Sequence, residues 1–169
     1  LLSKWRKSMD LIGPSNMEHH FEDSINCVSL LPNCPTWIDL GSGAGFPGFA
    51  LSAAQPDAQI TMVESRQKRC VFLRAVSREA KTSNITILNT RTDKVTERYH
   101  GIISRAYKPP IDYLFDAERL LKPNGYVALM LGQNTIVDLP SQWVCHSKHE
   151  YPVSDHKRCL WLLQIRRHS

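Results

Sequence analysis

Short apolar runs and stretches of helical spacing alternate along most of this chain. Leu2, Trp5 and Met9, then Ile25, Val28 and Leu31, recur at the spacing of a helix face, and Gly13-Pro14 interrupts them. Two N-terminal helices are therefore predicted within residues 1–31. Beyond Pro35 the pattern reads as strand at 36–40, helix from about 47 to 54, strand at 59–64 and a longer helix from about 66 to 81. In that longer helix Phe72, Leu73, Val76 and Ala80 share one face, with Arg66, Lys68, Arg69, Arg74 and Arg78 largely elsewhere. Further strands fit 85–89, 101–105 and 126–131, the last after a turn at Lys122-Pro-Asn-Gly125, with a helix at 111–121. Trp143 to His149 and Cys159 to Ile165 read as two closing strands with no helix between them. Strand and helix in alternation imply a parallel sheet covered on both faces, and the closing pair implies an antiparallel edge. The expectation is one α/β domain over 1–169, with N-terminal helices in 1–33 and a core in 36–169. Its sheet is mostly parallel and seven-stranded, with an antiparallel edge strand.

Composition narrows this picture in three ways. With 169 residues and 42% hydrophobic content, the chain can bury one substantial core and is short for two. Its 21 Lys and Arg against 16 Asp and Glu give +5, a balance that suits an anionic partner without requiring one. Five cysteines, at 27, 34, 70, 145 and 159, form no Cys-x-x-Cys pair, so no disulfide framework and no metal site is expected. No run of 18 apolar residues suggests a membrane span, and Lys4, Arg6 and Lys7 stand where a signal peptide would be apolar. A cytoplasmic monomer is expected.

The chemistry concentrates in Trp37-Ile-Asp-Leu-Gly-Ser-Gly-Ala-Gly-Phe-Pro-Gly48. A strand ends there in an acid, and glycines at 41, 43, 45 and 48 follow at once, permitting positive φ and close backbone approach to a ligand. Pro47 is placed to open a helix. A phosphate-binding P-loop would need Lys-Ser or Lys-Thr after the last glycine, and Phe49-Ala50 stand there. A dinucleotide fingerprint can be laid on Gly43-Ala-Gly45-Phe-Pro-Gly48, but it leaves Asp39 and Gly41 without a part. The third pattern, Asp39-x-Gly41-x-Gly43-x-Gly45, is the arrangement of S-adenosylmethionine-dependent methyltransferases. Asp39 would engage the ligand's ammonium group through water or backbone, and the glycines would admit its amino-acid part. Glu64, at the end of the second strand, can accept hydrogen bonds from both ribose hydroxyls. Asp93 could meet the adenine amino group, with Thr92 contributing backbone contact. Each acid also has a plainer reading: Glu64 as a cap on the following helix, Asp93 as half of a surface pair.

These residues resemble the RsmG (GidB) family of 16S rRNA guanine-N7 methyltransferases. The likeness spans His20-Phe-Glu-Asp23-Ser24, Ile38 to Gly48, Lys68-Arg69 with Phe72-Leu73-Arg74, Arg91-Thr-Asp93 and Ile103-Ser104-Arg105-Ala106, and it continues weakly through Gly132-Gln133 and Arg158 to Leu163. Its most specific part is Gly45-Phe46-Pro47-Gly48. The resemblance implies a Rossmann-like class I methyltransferase fold, S-adenosylmethionine as cofactor and 16S rRNA of the small ribosomal subunit as partner. It further implies that Gly41, Phe46, Thr92, Asp93 and Arg105 contact the cofactor, and that His20, Asp23 and Ser24 lie near the active cleft in positioning roles with Arg105. The chain departs from the family pattern at His100, where an acid is usual, and at Leu131, where a lysine precedes Gly-Gln. Both departures bear on the acceptor.

Methylation at guanine N7 needs no proton removed, since the atom already offers an in-plane lone pair, so alignment is the main demand. Consistent with that, the Asp or Asn before Pro-Pro-Tyr used on exocyclic amines is replaced by Tyr107-Lys-Pro-Pro-Ile111. No cysteine stands near the ends of strands four or five to attack a pyrimidine. For RNA contact the candidates are Arg105, Lys108 and the helix residues Arg66, Lys68 and Arg69, with Tyr107 available to stack on a base. The plain reading of the helix residues is a solvated face. Two rival functions stay open: a methyltransferase for another RNA or a small molecule, and a non-catalytic RNA-binding or ribosome-assembly protein that keeps the fold.

Overall fold

A computed structural model of the chain describes residues 17–166. The first predicted N-terminal helix, with Leu2, Trp5 and Met9, lies outside the described residues. The second is α1 (Met17–Val28). There follow β1 (Thr36–Leu40), α2 (Gly48–Ala54), β2 (Gln59–Glu64), α3 (Gln67–Glu79), β3 (Ile85–Asn89), β4 (Tyr99–Ser104), α4 (Pro110–Leu120), β5 (Leu121–Gly132), β6 (Trp143–Val153) and β7 (His156–Ile165). The seven strands form one sheet in the order β3-β2-β1-β4-β5-β7-β6. Pairings from β3 through β5 are parallel; β7 runs antiparallel to both β5 and β6. The antiparallel strand expected at the edge is thus β7, one place in, with β6 outermost.

Strand alternation sorts the core into two layers. Trp37, Ile60, Met62, Ile103, Ala128 and Leu162 face α1, α2 and α3, whereas Ile38, Leu40, Ile102, Val127, Leu129 and Leu163 face α4. Each fully buried side chain of this size contributes about 1.5–3 kcal/mol. Gly101 in β4 has a packing reason. It pairs in register with Trp37, and a Cβ there would lie 2.3 Å from the indole ring. The buried indole N–H donates to Gln55 Oε1 at 3.0 Å, which removes the penalty of an unpaired donor.

Several boundaries differ from the sequence expectation. The turn at Lys122 to Gly125 is an irregularity inside β5. Leu121 pairs with Tyr99 and Tyr126 with Gly101, so four residues loop out while α4 leads directly into the strand. Asn124 takes φ +63° there. The closing strands are longer than predicted and form a hairpin turned by Ser154 and Asp155. The two family departures are also placed. His100 sits at the amino end of β4, its Nδ1 2.9 Å from Thr36 Oγ1. Five residues of strand, about 16 Å, separate it from Arg105. Leu131 is buried in the layer against α4, among Trp143 and Leu163. His100 therefore lies away from the carboxyl ends of the strands, and the Leu131 side chain is turned into the core.

Candidate functional site

The carboxyl ends of β1, β2, β3 and β4 meet at one edge of the sheet, on either side of the point where chain order reverses between β1 and β4. Ligands of open α/β sheets bind at such an edge. After β1 the backbone turns through Gly41, Gly43 and Gly45 at φ +69°, +54° and +91°. A Cβ at Gly41 would lie 2.6 Å from Tyr107 Cδ2, and one at Gly45 would lie 2.3 Å from Phe49 Cδ2, so both positions require glycine by conformation and by space. Asp39 lies beneath this turn rather than in it. Its carboxylate is fully buried and lacks a well-formed hydrogen bond; burial pushes its pKa up to about 7, against weaker opposing effects from Ser42, Gly48 and Arg105. Its part is to support the turn from below, so the expected contact with a ligand through intervening groups is the only one open to it.

Glu64 closes β2 with its carboxylate held in place. Oε2 accepts from Gly43 N–H at 3.1 Å, Oε1 accepts from Arg66 N–H at 2.7 Å, and the Arg69 guanidinium is 3.7 Å away. The backbone amides occupy one acceptor position on each oxygen and leave capacity on both for a pair of hydroxyls. Asn89, at the end of β3, donates to the Glu64 and Ser65 carbonyls at 3.1 Å and fixes the chain beyond the acid.

A cavity of about 430 Å³ opens above Glu64, within the range of small-molecule sites. Gly41, Glu64, Thr92, Asp93, Tyr107 and Asp116 contribute to its wall. Thr92 and Asp93 stand on a single 3-10 turn (Thr92–Lys94), which Arg119 of α4 secures by donating to the Thr92 carbonyl at 2.8 Å and to the Val95 carbonyl. Asp93 is exposed and paired with Arg91 at 3.1 Å, and that hydrogen bond lowers its pKa. Tyr107 lies against Gly41 and donates to Asp116 Oδ2 at 3.0 Å; Lys108 Nζ reaches the same oxygen.

Beyond the cavity, Arg105 follows β4 and is received by α1. Its Nη1 lies 2.8 Å from His20 Nδ1 and 3.7 Å from Asp23 Oδ2, and its guanidinium carbon is 5.9 Å from the centre of the Phe46 ring. Arginine only donates, so His20 Nδ1 is an acceptor and the ring's remaining nitrogen carries the proton. Burial and the Arg105 charge both lower the His20 pKa, which keeps the ring neutral. Asp23 is buried and also accepts from Tyr151 O–H at 2.8 Å, with Arg158 Nε 3.7 Å away. Ser24 turns back to the His20 carbonyl at 2.8 Å and so serves the helix itself.

Of the residues singled out from sequence, Gly41, Glu64, Thr92 and Asp93 share the cavity. Gly43, Gly45 and Asp39 shape its floor, and Phe46, Arg105, His20 and Asp23 form the neighbouring cluster. Of the RNA candidates besides Arg105, four, Arg66, Arg69, Tyr107 and Lys108, are in the wall of this same cavity. Lys68 stands outside it, exposed on the first turn of α3. Sequence reasoning missed Asn89, Asp116, Arg119, Tyr151 and Arg158. Tyr151 lies 128 residues from Asp23, and no local pattern marks such a pair.

The donor set suits S-adenosylmethionine. Glu64 has acceptor capacity for two hydroxyls, Asp93 can accept from an amino group, and the turn through Gly41, Gly43 and Gly45 presents bare backbone at positive φ. Among solved structures the fold is similar to that of TYW2 from M. jannaschii in complex with AdoMet, with TM-score 0.70 and 10% identity over 91% of this chain and 79% of that one. It is also similar to a SAM-dependent methyltransferase from Aquifex aeolicus, with TM-score 0.66 and 16% identity over 95% of this chain and 97% of that one. Closer in sequence are proteins named ribosomal RNA small subunit methyltransferase G. That of Neisseria gonorrhoeae is 34% identical over 156 residues, 88% of this chain and 75% of the relative. That of Paracoccus denitrificans is 34% identical over 140 residues, 79% and 72%. Residues 1–165 match the family model of GidB, rRNA small subunit methyltransferase G, and the chain belongs to that S-adenosylmethionine-dependent family.

Proposed function

We propose that this chain transfers the methyl group of S-adenosylmethionine to N7 of a guanine in 16S rRNA. Glu64 would hold the ribose hydroxyls, Asp93 the adenine amino group with Thr92 beside it, and the backbone of Gly41 to Gly45 the amino-acid portion. When bound, the cofactor supplies a methyl group on a positively charged sulfur, electrophilic enough to be taken by an unassisted lone pair.

The observation that carries the choice of N7 is the state of His20. Its Nδ1 accepts from Arg105, which leaves the neutral ring no lone pair with which to remove a proton. Asp23 is occupied by Tyr151, Arg105 and Arg158. A cluster that donates and does not abstract suits an acceptor atom that bears no hydrogen. Guanine O6, next to N7, is an acceptor that such donors can hold. Catalysis is then alignment, with Arg105, held by His20 and Asp23, beside the base while Glu64 fixes the cofactor. Arg66 and Lys108, exposed in the cavity wall, and Lys68, exposed on the first turn of α3, would meet RNA phosphates.

The test is incubation with methyl-labelled cofactor and small ribosomal subunits, bare rRNA or a metabolite pool, followed by mapping of the label. Label at guanine N7 of 16S rRNA is expected. Tight cofactor binding without transfer to any of the three acceptors would overturn the proposal.

A further inference from the structure

A second concavity, of about 390 Å³, lies at the same edge of the sheet but on the other side of Arg105 in strand order. One wall is the segment after β5, with Gln133, Asn134 and Thr135; the opposite wall is the start of β7, with Lys157 and Arg158. His19 of α1 borders it. Among the described residues no carboxylate lines this groove. Asp155, next to His156, is exposed, while the acids of α1 are engaged elsewhere. Glu22 Oε2 accepts from the Ser154 N–H and O–H, both at 2.9 Å, and Asp23 is held by Tyr151 between Arg105 and Arg158. Glu150 is 3.4 Å from Lys157 Nζ in a pair with both members more than half exposed, a geometry of little energetic weight.

The groove is also held in shape. Asn26 Nδ2 donates to the Pro152 carbonyl at 2.8 Å and Ser154 to Glu22, which ties the β6–β7 hairpin to α1. Thr135 N–H donates to the Gly132 carbonyl at 3.1 Å and closes the turn of the facing wall. Arg158, which lines the groove, shares Asp23 with Arg105, so the groove and the methyl-transfer cluster are joined by one buried carboxylate.

Phosphate oxygens only accept hydrogen bonds, and a concavity of amides, a hydroxyl, imidazole and two cations without a carboxylate meets that need. Among the described residues the groove wall carries no phenyl or indole ring for a stacked base, whereas Phe46 lies beside Arg105. We propose that this groove seats a phosphodiester of the acceptor RNA strand beside the nucleotide that enters the cluster, an inference that rests on the reading of the chain as an rRNA methyltransferase. Lys157 supplies the accessible charge, Asn134 and Thr135 supply oriented donors, and the strand crosses from the groove to the base site over Arg105.

The test measures binding of a short single-stranded RNA by fluorescence anisotropy across a salt series, with S-adenosylhomocysteine affinity measured by calorimetry on the same proteins. Lys157→Gln should lower the slope of log affinity against log salt by about 1, and Lys157→Arg should restore it. Asn134→Asp, which places a carboxylate in a wall that has none, should weaken RNA binding about tenfold, as expected for a lost contact turned repulsive. Both Lys157→Gln and Asn134→Asp should leave S-adenosylhomocysteine affinity unchanged. Wild-type slope and affinity in both variants would overturn the groove while leaving methyl transfer to rRNA intact. Loss of transfer to rRNA by the unmodified protein, with groove-dependent RNA binding retained, would overturn the activity alone. An unmodified protein that binds no RNA would overturn both.

Discussion

The two concavities on either side of Arg105 share a sheet edge and both carry cations, but among the described residues only the one over β1 to β3 adds carboxylates. The one over β1 to β3 carries Glu64, Asp93 and Asp116; the one over β5 and β7 carries none of these and is walled by donors. A nucleoside presents hydroxyls and an amino group, which donate, whereas a nucleic-acid backbone presents oxygens that accept. One edge of one sheet can therefore hold two ligands apart by chemistry as much as by shape. Between them Arg105 is immobilised by acceptors from α1, an element outside the alternating strand–helix unit. The groove is bounded by that same helix and by the antiparallel hairpin.

The largest expected effect that separates the two sides comes from Asp39, beneath the cofactor floor. Its pKa rises from an ordinary 3.8 to about 7 on folding, so its contribution to stability is fully present below the unfolded value and is lost as pH rises through the folded one. Asp39→Asn should remove that decline. The wild-type protein should lose roughly 4 kcal/mol from this group between pH 4 and pH 7, a loss the variant escapes, as read by urea unfolding at each pH. An unchanged pH profile would show that the carboxylate is solvated. Glu64→Ala should weaken S-adenosylhomocysteine binding about 100-fold, the expected loss of two hydrogen bonds to a charged group, while RNA affinity holds. If both affinities fell together, the two concavities would not be independent. Asp93→Ala, at an exposed position, should cost about fivefold in the same calorimetric titration. His100→Asp should change neither affinity, with stability shifted by no more than about 1 kcal/mol through the Thr36 contact. A change in acceptor for that variant would contradict its place at the far end of β4.

Much of this was legible from local pattern. Apolar runs located β1, β2, β4 and β5, because a strand buried on both faces leaves few polar positions; β6, exposed at alternate positions, carries a mixed pattern. The glycine turn was legible because positive φ and close contact leave no other residue at Gly41 or Gly45. Glu64 was legible because the end of the second strand lies a predictable distance from that turn. Boundaries were less so. Leu121 extends the fifth strand through four looped-out residues, since pairing with Tyr99 outweighs the turn preference of Pro123-Asn124-Gly125. The RNA candidates of α3 were chosen by charge, and charge does not say which way a helix faces; Arg66 and Arg69 turn toward the cavity.

The alternation of elements, the glycine-rich turn and the acid after the second strand were decided by residues close in sequence, where backbone sterics and periodicity act. Only the tertiary structure decided that Asp39 is buried beneath the turn, that His20 accepts from Arg105, and that His100 stands at the far end of β4 while the Leu131 side chain is buried. It likewise brought Arg158 and Arg105 to one carboxylate from strands far apart in the chain. Those outcomes depend on burial and on which acceptor meets which donor. Both are properties of packed surfaces rather than of neighbouring residues.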